Sequence, residues 1–200
     1  MSSLAHHFAT MAYNNAWANL RLLRAVSVLT QAEFEAQRTS FFPSFKATLN
    51  HIVTVDWYYV DALERGLAGQ PVNAQALGFF EPEDPFAEAA SLGAAQRDVD
   101  RRLVKLCVTL TDPVLERPIA IQRSAEVQHE TVTRLLAHLF QHQIHHRGQA
   151  HSMLAGTSVK PPQLDEFFCA NEARLRAADL AELGYSEAMI WGTAERATST

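Results

Sequence analysis

The sequence predicts an all-α protein, an antiparallel bundle of four long helices with a short C-terminal helical extension. Three observations carry this. Apolar residues recur at helical spacing over four long stretches, the joints between them are rich in Pro, Gly and Asn, and a strand pattern is suggested in one interval alone, residues 111–126. At 200 residues the chain exceeds the usual domain of about 100–150 residues. One domain with an appendage is expected: a bundle over residues 1–170, then a helical extension and tail over 171–200.

The first helix, residues 4–29, is marked by Phe8, Met11, Trp17, Leu20, Leu22, Leu23, Val26 and Leu29 on one broad face. Asn14 and Trp17 read as packing and hydrogen-bonding elements of it. Thr30 and Glu33 then have the spacing of a capping box for a short following turn. Ser44, after Pro43, suits the N-cap of a second helix running to about Leu67, whose apolar positions are Leu49, Ile52, Val53, Tyr59, Val60 and Leu63. Gly66 and Gly69 suit its end. Residues 70–85 form a loop long enough to serve as a lid or wall. A third helix is expected over about 86–110. The pattern Val114, Leu115, Ile119, Ile121 with Pro113 and Pro118 indicates irregular chain or one short strand pair. The fourth helix starts near Thr131 and stops around Ala155-Gly156.

After Pro161 and Pro162, the residues Leu164, Phe167, Phe168, Leu175, Leu180, Leu183, Met189, Ile190 and Trp191 indicate one or two short helices across the bundle. The apolar side of residues 172–183 fits either its own bundle or a neighbouring subunit. The tail from Thr193 onward is expected to fray.

Composition excludes several classes. A formal charge of -5, with 17 scattered basic residues and no Lys/Arg block, lacks the electrostatic footprint of a nucleic-acid binder. No apolar run approaches the roughly 18–20 residues that cross a bilayer, and the N-terminus lacks the basic flank and apolar stretch of a signal peptide. A cytoplasmic protein with no membrane partner is expected. Cys107 and Cys169 are too few and unpatterned for a disulfide framework, and Cys107, among Leu103, Val104, Leu106 and Val108, reads as a buried thiol.

Histidine supplies the chemical signal. Residues 138–146 hold four of the nine histidines, His138, His142, His145 and His146, on the predicted fourth helix. Histidine is the commonest protein ligand of zinc and nickel. At about 100° per residue, His142 and His146 stand one turn apart on one face and can reach a common ion. A third ligand must come from another helix, and His51, flanked by core positions of the second helix, is the histidine available there. The site so proposed is His51, His142 and His146. Spacing alone leaves open a rival stripe of His138, His142 and His145. As isolated residues, His138, His145 and His151 read as hydrogen-bonded, partly buried side chains, and His6, His7 and His129 as surface or terminal.

The segment Asn50-His51-Ile-Val-Thr-Val-Asp56-Trp57, followed far downstream by His142-Gln-Ile-His145-His146-Arg147-Gly148-Gln149, resembles the DinB/YfiT family of metal-binding bundles. The run Tyr13-Asn14-Asn15-Ala16-Trp17-Ala18-Asn19 and the later Pro161-Pro162-Gln163-Leu164-Asp165 are similar to that family too, so the likeness spans about residues 8–168 in order. The resemblance implies an up-and-down four-helix bundle holding a divalent metal, zinc or nickel, on three histidines matching His51, His142 and His146. It also implies homodimers and, in several branches, transfer or isomerisation reactions that use a low-molecular-weight thiol.

Three neutral imidazoles leave a tetrahedral ion one open position, the arrangement of a catalytic rather than a structural zinc. Such an ion can activate water or bind a thiol as thiolate. A small-molecule substrate or thiol is the partner expected. The alternative is a non-enzymatic metal- or ligand-binding stress-response module acting as a dimer. No general base is evident, since Asp56 lies about 140° round the helix from His51, and Glu126 and Glu130 precede the fourth helix without fixed geometry. Arg147 is expected in a structural salt bridge, with an acidic substrate or a carboxylate at a dimer face as the alternative partner, and Gly148 at a close helix contact, while Gln149 is placed to orient a ligand imidazole. Trp57, Tyr58 and Tyr59 read as part core, part pocket wall.

Overall fold

A computed structural model describes residues 3–192, so the expected fraying from Thr193 lies outside the described residues. Four long helices dominate: α1 (Leu4–Val26), α3 (Phe45–Leu67), α4 (Ala89–Cys107) and α6 (Val132–Leu154). The shorter α2 (Gln31–Glu35), α5 (Asp112–Leu115), α7 (Ala173–Leu183) and α8 (Glu187–Trp191) and one hairpin, β1 (Pro118–Gln122) with β2 (Val127–Thr131), complete the described elements apart from two short 3-10 turns.

Local chemistry sets the starts of these helices. Hydroxyls of Ser3, Ser44 and Thr131 accept from the third backbone amides of α1, α3 and α6, and Thr30 with Glu33 closes the expected capping box on α2. Each such cap stabilises by about 1 kcal/mol. Asp112 adds a distant clamp by accepting from the Ala5 amide at 2.8 Å, which ties the start of α1 to α5.

Helix α1 packs on α4 and α6, and α3 packs on the same two, so the four close into a ring. One apolar cluster at one end joins Leu22, Leu23 and Val26 of α1, Phe45, Leu49 and Ile52 of α3, Leu92 of α4, and Ala150, Met153 and Leu154 of α6. That end therefore gathers the C-termini of α1 and α6 with the N-termini of α3 and α4. The expected four-helix architecture is present, and its order is refined. Helices α3 and α4 run parallel, as do α1 and α6, while α1/α4 and α3/α6 are antiparallel.

The segment between α3 and α4 is the physical reason. It runs back along α3, with Phe79 and Phe86 against Trp57 and Phe80 against Tyr58. The Asn50 side chain then pairs with both backbone groups of Phe86, donating and accepting at 2.9 Å. Chain returned to the start of α3 can begin α4 only in the same direction. The sequence-predicted lid or wall is thus a strap along α3.

The hairpin occupies residues expected to be irregular or a short strand pair, and its Ile119 and Ile121 are buried. Close approach to α3 needs Gly66, because a Cβ there would stand 2.6 Å from Ile119 Cδ1. Past the bundle, Phe167 packs on Trp17, and α7 lies on α1, with Asp179 accepting from Arg21 at 2.7 Å and from Arg24 at 2.8 Å. Arg176, almost wholly buried, holds Glu187 through two bonds and the Glu166 and Cys169 carbonyls through two more. No helix among the described residues is long and apolar enough to cross a membrane.

Candidate metal centre

His51, seven residues into α3, meets His142 and His146 of antiparallel α6. One nitrogen from each of the three falls within 4.8 Å of the others, and His51 Nε2 and His142 Nε2 stand 2.9 Å apart. A tetrahedral ion with bonds of 2.0–2.1 Å separates its donors by roughly 3.3 Å, so the spacing suits one small divalent ion after small side-chain adjustments. Among the described residues, no carboxylate or thiol joins this group.

Electrostatics favours neutral ligands. Burial first, and then the charge of His146, lowers the His51 pKa to about 4. Burial together with four neighbouring histidines lowers His142 to about 3. His146 is also lowered by burial, although its bond to Gln149 works the other way. All three therefore offer lone pairs at neutral pH. Gln149 Oε1 lies 2.8 Å from His146 Nδ1, and Gln149 Nε2 lies 3.1 Å from His145 Nε2. With the amide oriented so, Nδ1–H of His146 donates to Gln149 and Nε2 of His146 is left for an ion, the orienting role expected of Gln149. His142 Nδ1 is buried without a hydrogen-bond partner.

The rival stripe is not assembled. His138 and His145 are exposed and lie outside the group, with the His138 ring 6.1 Å from that of His142. His151 is half-buried and bonded to the Pro162 carbonyl, as a structural histidine would be. Two residues absent from the sequence reasoning complete the surroundings. Phe42 stacks 4.3 Å from the His51 ring and 5.4 Å from His146, and exposed Phe41 is 6.4 Å from His146. Their signal was an aromatic pair in an otherwise polar joint just before the Ser44 cap. On the other flank, Tyr59 lies 5.1 Å from His138 and beneath Arg123. A groove of about 320 Å³ opens beside Gln149, lined also by Ser40 and Ser152.

Behind the triad lies a polar layer to which all four long helices contribute. Asp100 accepts from Asn15 and Asn19 of α1, and from Gln96 one turn earlier on α4. Asp56 of α3 accepts from Gln96 at 2.7 Å and from Gln143 of α6. Burial raises the Asp56 pKa to about 8, with Asp100 adding to the rise, and burial raises Asp100 to about 6. Arg147 is lowered to about 10 by the same desolvation. The salt bridge expected of Arg147 is replaced by amide contacts. Its Nη1 donates to Asn15 Oδ1 at 2.7 Å and Asn19 Oδ1 at 2.9 Å, and these same amides donate onward to Asp100. Among the described residues no carboxylate reaches the guanidinium directly, and the buried charge is shared through amides. Gly148 also departs from expectation: a Cβ there meets nothing within 4 Å, so close helix packing is not its purpose. Cys107 is buried as expected, and burial raises its thiol pKa.

The fold and the site together define a helical-bundle protein whose antiparallel α3/α6 pair presents three neutral histidines able to hold a divalent ion. The DinB family model matches residues 1–179, and the chain belongs to that family. Protein DinB of Bacillus subtilis (strain 168) is 26% identical to it over 152 residues, covering 74% of this chain and 85% of that protein. A crystal structure of a DinB-like protein from Bacillus cereus ATCC 10987 superposes with a TM-score of 0.52 at 17% identity. It covers 74% of this chain and 90% of that one, a likeness of fold.

Proposed function

We propose that His51, His142 and His146 hold a divalent ion, zinc or nickel, and that the protein is a metal-dependent transferase or isomerase joining a low-molecular-weight thiol to a small electrophile. The observation that carries this reading is the convergence of three imidazoles kept neutral by burial, with no fourth protein ligand in the group. A bound ion would supply Lewis acidity at its open position, where a thiol or water can be activated. The chain's own residues orient and enclose: Gln149 sets the His146 tautomer, Phe42 shields His51 from water, and exposed Phe41 offers an apolar contact to an entering molecule. The groove beside Gln149 gives room for the thiol. In the transfer the thiol proton leaves to solvent as sulfur forms the new bond to the electrophilic carbon, which either releases its leaving group with the bonding pair or gives up a π bond whose electrons take a proton from solvent; in the isomerisation the C–S bond breaks again and the thiol is released.

A homodimer is part of the proposal. Leu4, Phe168 and Trp191 gather around one open surface hollow and are each nearly half exposed, an apolar patch suited to a second copy. A second reading, a non-enzymatic metal- or ligand-binding module, draws on the absence of any carboxylate base from the described triad.

Metal content of protein purified without a nickel column tests the site. One equivalent in the wild type and its loss in His142→Ala are expected, and equal metal in both would refute the assignment. Turnover of a general electrophile with glutathione, bacillithiol or mycothiol then separates the readings. Activity that disappears in His51→Ala supports the enzyme, and metal binding without turnover with any of the thiols supports the module.

A further inference from the structure

An open cavity of about 520 Å³ lies on the other side of α6 from the triad. At about 100° per residue, Ile144 and Gly148 stand roughly 200° round the helix from His142 and His146. Its floor is polar. Asn14 of α1 lines the cavity at 8% exposure, and its side chain makes no hydrogen bond among the described residues. The polar atoms of Asn14 are not among those buried without a partner, so they keep contact with the solvent of the cavity and are open to a ligand there. Arg147 lines the same floor at 5% exposure, and its hydrogen bonds within the described protein all run through Nη1. The Nε and Nη2 protons have no acceptor among the described residues.

The walls are apolar. Ile144, Leu164 and Phe168 form them, and Ile144 and Phe168 are each about half exposed in the described chain. Gly148 opens the space, since a Cβ at that position would touch nothing within 4 Å. His151 and the Pro162 carbonyl, 2.8 Å apart, pin the segment after α6 across one edge. Asp100 answers the Arg147 charge only through Asn15 and Asn19, and Asp165, which lines the same cavity, makes no ion pair with Arg147 among the described residues, its Oδ1 accepting instead from Gln163. Guanidinium protons beside a free amide are a carboxylate receptor, and an apolar wall beyond them selects an apolar body.

We propose that this cavity is a second small-molecule site, separate from the metal centre, that takes a monocarboxylate with a short apolar or aromatic body. The carboxylate meets Arg147 and Asn14, and the body lies on Ile144, Leu164 and Phe168.

Calorimetric titration of the metal-free full chain with 3-phenylpropionate, and with the neutral alcohol 3-phenyl-1-propanol, tests this. The acid is expected to saturate one site at least about tenfold more tightly than the alcohol, as a charge-assisted pair requires. His142→Ala is expected to bind the acid like the wild type. Gly148→Leu, which fills the cavity, is expected to weaken binding at least about tenfold with helical circular dichroism unchanged. Should Gly148→Leu not fold, Asn14→Leu takes its place with the same expectation. No saturable binding of the acid, equal binding of the alcohol, or binding that the cavity variant leaves intact overturns the proposal. Binding lost in His142→Ala assigns the acid to the metal centre and overturns it as well.

Discussion

Replacing Asp56 by Asn should flatten the pH dependence of stability above neutrality. In the folded protein burial lifts this carboxyl from an ordinary 3.8 to about 8. A group raised in this way contributes stability that is complete below its unfolded value and is lost as pH climbs through its folded one. Asp100, raised to about 6, acts in the same direction but is finished at lower pH. The depressed histidines act in the opposite sense, adding stability as pH rises from their folded values of about 4 and 3 for His51 and His142, and only about a few tenths of a kcal/mol each remains to be gained above pH 6.5. Between about pH 6.5 and 8 Asp56 is the core group left titrating. Each pH unit of unmatched protonation is worth about 1.4 kcal/mol, so Asp56 alone should take roughly 1–2 kcal/mol from the wild type over that window, and because the histidines act equally in both proteins the two stability curves should diverge by that amount. Asn keeps an oxygen for Gln96 and Gln143 but leaves a buried amide without a partner, as Asp56 Oδ1 already is. That orphan costs about 1–3 kcal/mol. The carboxyl it replaces costs about 5 kcal/mol at pH 8 relative to its protonated form, so Asp56→Asn should be more stable there by about 2–4 kcal/mol. Urea unfolding followed by circular dichroism at pH 6.5, 7.2 and 8.0 reads both quantities. A chelator is needed, because metal binding to the folded triad would add its own pH dependence. Parallel curves for the two proteins, or a less stable variant at pH 8, would refute the reasoning.

Three further outcomes follow from the geometry. Gln149→Leu removes the acceptor of His146 Nδ1–H, and metal affinity measured by competition with a chromogenic chelator should fall about 10–100-fold; unchanged affinity would count against the assigned tautomer. Gly148→Ala meets open space on a helix and should raise stability by about 0.5–1 kcal/mol, seen as a later urea midpoint. Gly66→Ala should lower stability by about 1–3 kcal/mol, because its Cβ presses on fully buried Ile119, and a midpoint equal to wild type would show that the hairpin yields freely.

The helices were legible because apolar periodicity and caps are local: Ser44, Thr30 with Glu33, and Thr131 mark boundaries by chemistry that acts within one turn. Helix direction was not legible. It depends on where the strap ends, and the pairing of Asn50 with Phe86 joins residues whose relation no periodic pattern records. His142 and His146 were legible as a pair, since their geometry is that of one helix, whereas the approach of His51 is a tertiary fact.

The buried polar layer shows where pattern reading misleads most. Asn15 and Asn19, Gln96 and Asp100, and Gln143 and Arg147 are each spaced i,i+4, so on three helices a polar pair lies on one stripe that a binary pattern assigns to solvent. The signal that distinguishes them is the apolar residues on either side: Trp17, Val99 and Leu139 belong to the buried faces that these pairs interrupt. A polar pair inside an apolar stripe is tolerated only when a facing helix supplies matching donors and acceptors, so three such pairs in one chain imply each other. Gln143 and Arg147 each follow a candidate ligand by one residue, so the layer fixes the rotation of α6 about its axis. The rotation that satisfies Asp56 and the α1 amides is the one that turns His142 and His146 toward His51. Breaking the layer should therefore loosen the triad without touching it.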